Sequence, residues 1–135
     1  MVILAACVIV PTVPAASGTA AMTRTSAVSS KLVGQWTRKI TSADIKRSYG
    51  YGNQPGTVWT LTIKKSGAAH LVVMRVGAFD GAVVPVGTNR VHFTYGDPTG
   101  NVYRWRVSGR LLTLTKVYDG TPDRATAMWG VWKRK

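Results

Sequence analysis

The sequence predicts an all-β protein, an eight-stranded up-and-down antiparallel barrel with a short helix after the first strand. Three observations carry this expectation. Apolar and polar residues alternate over several short runs, which is the period of a half-buried strand. The runs are joined by compact turns such as Ser66-Gly67 and Ser108-Gly109, with no long crossover between them. The composition suits many short strands, with 14 Gly, frequent Val and Thr, and 45% hydrophobic residues. Eight sequential antiparallel strands leave two raw edges unless the sheet closes, and a barrel removes both.

Residues 1–22 carry no charge: an apolar run from Met1 to Val10 leads into Pro, Ala and Ser. This is the pattern of a secretory signal-like segment, although a positive n-region is missing. The run is short and proline-interrupted for a membrane span. Cys7 is the only cysteine. Leu4-Ala5-Ala6-Cys7 resembles a bacterial lipoprotein box, but Val8-Ile9-Val10 favours a Cys inside an ordinary signal. The remainder has no thiol chemistry. A secreted or cell-envelope location follows, with no transmembrane span in the mature protein.

Residues 23–31 are small and polar, and read as a linker. The barrel domain is then 32–135. Residues 32–40 form the first strand. Thr41-Ser42-Ala43-Asp44 caps a helix running to about Tyr49, with a hydroxyl at the start and an acid in the first turn. Residues 50–56 (GYGNQPG) form a loop. Strand two spans 58–65 and strand three 68–76. A two-residue turn at Ser66-Gly67 pairs Ile63 with His70, Leu61 with Val72 and Trp59 with Met74. Asp80-Gly81 predicts the next hairpin turn. Strand four is 82–86, interrupted by Pro85, and strand five is 90–95. After the loop 96–100, strands six and seven form the hairpin around Ser108-Gly109, with Trp105 facing Leu112 and Tyr103 facing Leu114. Residues 119–124 are a loop and 125–133 the last strand.

This order divides the molecule into two ends. The loops 41–56, 77–81, 96–100 and 119–124 form a mouth, and tight turns plus the C-terminus form a closed end. There are 18 Lys and Arg against five acids, all Asp, for a net charge of +13. Asp44, Asp80, Asp97, Asp119 and Asp123 fall at the mouth. Lys31, Lys64, Lys65, Arg90, Arg106, Arg110 and Lys133 to Lys135 gather toward the closed end. Such a balance attracts anionic partners.

Leu32-Val33-Gly34-Gln35-Trp36 resembles the Gly-x-Trp signature that opens lipocalin and other calycin barrels. Tyr103-x-Trp105, Leu112-Thr113-Leu114-Thr115 and Trp132-Lys133-Arg134 are similar to the second half of small secreted lipocalin-like domains of bacteria. The resemblance implies that Gly34, Trp36 and Arg134 form a structural closure. The Arg134 guanidinium would then lie over the Trp36 ring and bond backbone carbonyls.

For catalysis the inventory is thin. There are two His, no Glu and no Cys beyond Cys7. His70 is expected inside the barrel near its closed end, and His92 outside. No motif for a nucleophile, a phosphate loop, paired carboxylates or a metal is present, so neither an enzyme nor a cofactor is expected. Nucleic-acid binding is disfavoured, because Trp59, Tyr103 and Trp105 fall on the face opposite Lys64, Arg104 and Arg106. The reading that remains is a small apolar or amphipathic ligand in the barrel. Its lining would be Trp59, Leu61, Val72, Met74, Phe93, Tyr95, Tyr103 and Trp105, with Asp119 and Arg124 orienting a polar group at the mouth. The alternative is a filled barrel whose basic closed end binds anionic polymer or lipid at the envelope.

Overall fold

A computed structural model describes residues 27–95 and 100–135. The signal-like segment, Cys7, residues 23–26 of the linker and Asp97 lie outside the described residues. The strands are β1 (Gly34–Lys39), β2 (Val58–Ile63), β3 (Ala68–Val73), β4 (Gly77–Pro85), β5 (Arg90–Phe93), β6 (Asn101–Ser108), β7 (Leu111–Asp119) and β8 (Gly130–Arg134). Each pairs antiparallel with its sequence neighbour, and β1 pairs with β8 to close an eight-stranded barrel. Helix α1 (Ser42–Ser48) follows the first strand, and α2 (Pro122–Met128) precedes the last.

Helix α1 starts where the sequence places it. The Thr41 hydroxyl accepts from the Asp44 N–H at 3.2 Å, and the Asp44 carboxylate accepts from the Thr41 N–H at 2.9 Å. This reciprocal capping satisfies two backbone donors left free at a helix start. Helix α2 corrects the expectation of a loop over 119–124 and a strand from 125. Pro122 occupies the first turn, where its missing N–H costs nothing, and Asp123 sits beside it.

Three hairpin registers depart from expectation, with different consequences. In β6–β7 the turn is Gly109-Arg110, so Ser108 pairs with Leu111 and Trp105 with Leu114. In β5–β6, Val91 rather than Phe93 faces Tyr103. Both are shifts by two residues and leave the side chains on their expected faces as far as Tyr103, where a bulge next to Val102 shifts the register once more and brings Asp119, not Tyr118, inward. In β2–β3 the connection has three residues, Lys65-Ser66-Gly67, with Gly67 in the left-handed region at φ 87°. Ile63 therefore pairs with Ala69, Leu61 with Leu71 and Trp59 with Val73. A slip of one residue moves β3 to its other face. Ala69, Leu71 and Val73 point inward and are buried, whereas His70, Val72 and Met74 do not join the core.

Strand β4 also starts earlier than expected. Asp80-Gly81 lies inside it, paired with His70 and Ala69, and the turn falls at Met74-Arg75-Val76. Gly81 faces inward against an aromatic ring, since a Cβ there would lie 2.8 Å from Tyr95 Cδ1. Room for that ring, not a turn, accounts for this glycine.

The lower barrel is solid. Trp36, Leu61, Phe93, Tyr103, Leu112, Leu114 and Trp132 are all 0% exposed. Phe93 meets Tyr103 edge to face at 6.0 Å.

Candidate functional site

At the closed end the Arg134 guanidinium carbon lies 4.2 Å from the centroid of the Trp36 ring. Its nitrogens donate to Val33 O at 3.1 Å and Lys31 O at 3.0 Å. Trp36 Nε1 donates to Leu32 O at 2.9 Å. Gly34 makes the approach feasible: its φ is +140°, and a Cβ would stand 2.7 Å from Arg134 Nη1. A cation over an indole, with its donors satisfied by carbonyls, ties the two ends of the chain together.

Half of the mouth is plugged. Alternation along β1 sends Arg38 inward after Trp36, so a cation enters the barrel. It is compensated there. Arg38 Nη2 lies 2.8 Å from Asp44 Oδ1, its Nη1 donates to Ala127 O at 3.1 Å, and its guanidinium stands 5.9 Å from the Trp132 ring. Gly130 leaves the space, because a Cβ there would sit 2.3 Å from Arg38 Nη1. Burial of Asp44 would by itself raise its pKa. The N–H and hydroxyl of Thr41 and the Arg38 guanidinium outweigh that, and the carboxyl is held below its usual value. Arg47 adds a second cation 2.9 Å from Asp44, stacks 4.4 Å from the Trp129 ring and donates to Trp129 O. Ser48 and Thr126 hydroxyls, 2.8 Å apart, join α1 to α2. The sequence analysis did not single out Arg38. The signal was available: an Arg two residues after the inward Trp36, followed by a helix that brings an acid back over the barrel.

The other half of the mouth is hollow. A cavity of about 280 Å³ is lined by Trp59, Leu71, Phe79, Tyr95, Thr121, Asp123 and Arg124. It shares Trp59 and Phe79 with a wider hollow of about 550 Å³, which lies between residues 52–57 and the β3–β4 connection. Phe79 pairs with inward-facing Leu71, yet its side chain remains exposed. A ring on the inner face of a barrel is accessible only where the interior is unfilled.

Two polar atoms of this cavity's lining residues are buried with no hydrogen-bond partner among the described residues: Trp59 Nε1 and Tyr95 Oη. The two residues are 9% and 8% exposed. Leaving a buried donor unsatisfied costs roughly 1–3 kcal/mol. Burial, and then the Asp80 charge, raises the Tyr95 pKa, so the hydroxyl keeps its proton. At the rim, Arg124 pairs with Asp119 at 2.7 Å and donates to Gly100 O at 3.1 Å. The Asp119 side chain is 0% exposed and also accepts from the Tyr103 hydroxyl. Burial and this carboxylate raise the Tyr103 pKa.

Of the residues expected to line a ligand site, the structure brings Trp59, Tyr95 and Arg124 together at the smaller cavity. Leu61, Phe93 and Tyr103 lie deeper, as fully buried core. Trp105 is half-buried and packed against that core away from the cavity. Asp119 is enclosed behind Arg124. Val72 is on the outer wall, and Met74 is on the β3–β4 connection beside the wider hollow. Sequence reasoning missed Leu71 and Phe79, which the one-residue slip of β3 and the early start of β4 put in place. His70 is on the exposed wall, its Nδ1 2.6 Å from Asp80. His92 Nδ1 lies 2.7 Å from Asn101 O. Among the described residues no group of three His, Cys, Asp or Glu could hold a metal ion, and no helix is long and apolar enough to cross a membrane.

No family model matches the chain, and no curated protein matches it by sequence. In fold the chain is similar to a lipoprotein YedD from Klebsiella pneumoniae subsp. pneumoniae MGH 78578, with a TM-score of 0.52 and 12% identity. The match covers 82% of this chain and 77% of that one. The likeness is one of fold.

Proposed function

We propose that this protein is a secreted or envelope-attached lipocalin-like barrel, with no enzymatic role, that binds a small and largely apolar molecule at its mouth. The observation that carries this reading is the cavity over Trp59, Leu71, Phe79 and Tyr95, whose surface is almost wholly apolar. An apolar ligand body would take the place of water against these rings. The ligand is small, because the plugged half of the mouth and the solid lower barrel leave it room only toward the adjoining hollow between residues 52–57 and the β3–β4 connection. An envelope location draws support from the apolar segment around Cys7 and from a fold neighbour described as a lipoprotein.

The test is titration with the neutral apolar fluorophore N-phenyl-1-naphthylamine, alongside native mass spectrometry of protein purified from its own host. The expected results are saturable binding at one site and a retained small molecule. Leu71→Trp, which fills the cavity, should abolish the fluorescence rise. Saturable binding that survives Leu71→Trp in a folded protein overturns the reading.

A further inference from the structure

The β3–β4 connection breaks the usual rules of a hairpin turn. Such turns favour Gly, Asn or Asp, which tolerate the left-handed region and face water. This one is Met74-Arg75-Val76, closed by the Val76 N–H donating to Val73 O at 3.0 Å. Arg75 takes the left-handed conformation at φ 67° without being glycine, which is unfavourable for an L side chain. Met74 is 46% exposed, Val76 71% and Phe79 47%. The chain has an Asp-Gly only six residues further on and uses it inside a strand. An exposed apolar tip held in a costly conformation adds nothing to the fold, and departures of this kind concentrate at functional sites.

The tip does not stand alone. Across the wider hollow lies the loop 52–57, and the segment leading into it carries Tyr49 and Tyr51, each 71% exposed. Their rings meet edge to face at 6.5 Å. Three exposed cations stand on this rim: Arg75, Lys39, whose stem lies beside Gly56, and Lys46. Two of the nearby acids are neutralised by cations: Asp44 lies under Arg38 and Arg47, and Asp119 is enclosed with Arg124. Asp123 is exposed and accepts from the Gly52 N–H and the Asn53 amide. Among the described residues the rim therefore presents aliphatic side chains, tyrosines and more exposed cations than acids, on a molecule of net charge +13.

That combination matches one surface. Tyrosines sit at the headgroup level of a bilayer, aliphatic side chains reach the acyl boundary, and cations meet anionic headgroups. We infer that the mouth rim, led by Met74, Val76 and Tyr51, docks on an anionic lipid bilayer. This assignment moves the membrane-contacting face from the closed end, with its Lys64 and Lys65, to the opposite end of the barrel. It does not depend on whether the cavity holds a ligand.

The test is co-sedimentation of the full chain with vesicles of equal parts phosphatidylglycerol and phosphatidylcholine, and with phosphatidylcholine alone. The wild type should bind the mixed vesicles and be largely left behind by phosphatidylcholine. Tyr51→Ser combined with Val76→Ser leaves the net charge unchanged and should weaken binding by about tenfold. Lys64→Gln combined with Lys65→Gln should weaken it by less than about threefold, the effect of general attraction alone. Both pairs are exposed, so circular dichroism and the thermal midpoint should stay near wild type. Absence of binding to the mixed vesicles, an unchanged affinity in the rim variant, or a larger loss in the closed-end variant each overturns the assignment.

Discussion

The plug in the mouth rests on one buried ion pair, and Asp44→Ala is its most informative perturbation. Arg38 and Asp44 side chains are 4% and 11% exposed. Removing the carboxylate leaves a guanidinium inside the barrel with the Ala127 carbonyl and the Trp132 ring for company. Stranding one member of a buried pair costs about 3–5 kcal/mol. Loss of the reciprocal cap at Thr41 falls within that figure or adds about 1 kcal/mol. For a domain of this size the thermal midpoint should drop by roughly 15–25 °C. The assay is thermal or urea unfolding followed by circular dichroism. Arg38→Met in the Asp44→Ala background removes the stranded charge, and the double variant should regain most of the loss. The pH dependence has a fixed sign. The folded Asp44 pKa is depressed, so its contribution is complete above the unfolded carboxyl value, about 3.9, and is lost as pH falls through the folded value. Asp44→Asn should therefore flatten the acid limb of the wild-type stability curve. A cost below about 1 kcal/mol for Asp44→Ala, or a double variant no better than the single, would refute the account of the plug.

The remaining expectations concern the wall and the two ends. Trp105→Ala should lower stability by about 1–3 kcal/mol and leave fluorophore affinity unchanged, because Trp105 supports the core away from the cavity. Arg106→Ala, on the exposed outer face, should alter neither, within about 0.5 kcal/mol. Arg134→Ala removes a partly exposed cation from Trp36 and two carbonyl bonds, and should cost about 1–3 kcal/mol by urea unfolding without affecting the mouth. Gly81→Ala should displace the Tyr95 ring, cost about 1–3 kcal/mol and weaken fluorophore binding, linking a strand glycine to the site through a single contact.

The sequence by itself determined the barrel, the α1 cap and most face assignments. These depend on patterns carried within each element: a period of two, a hydroxyl three residues before an acid, and enough strands to close a sheet. Wrong registers at β5–β6 and over most of β6–β7 preserved the faces, because those errors were even; only past the bulge at Tyr103 did the end of β7 turn over. The tertiary structure decided what depends on turn length and on approach between distant elements. One extra residue at Gly67 turned β3 over, removing Val72 and Met74 from the interior and supplying Leu71. The Asp80-Gly81 signal was overridden because the inward Gly81 position makes room for the Tyr95 ring. Pro122 and Asp123 were legible as a helix start, but the β-prone Trp129-Gly130-Val131-Trp132 that follows masked them. The Arg38 plug needed β1, α1 and β8 together, since a cation enters a core only where a carboxylate from another element awaits it. What space the barrel keeps, and on which side, is set by that meeting of elements, which no single run of residues encodes.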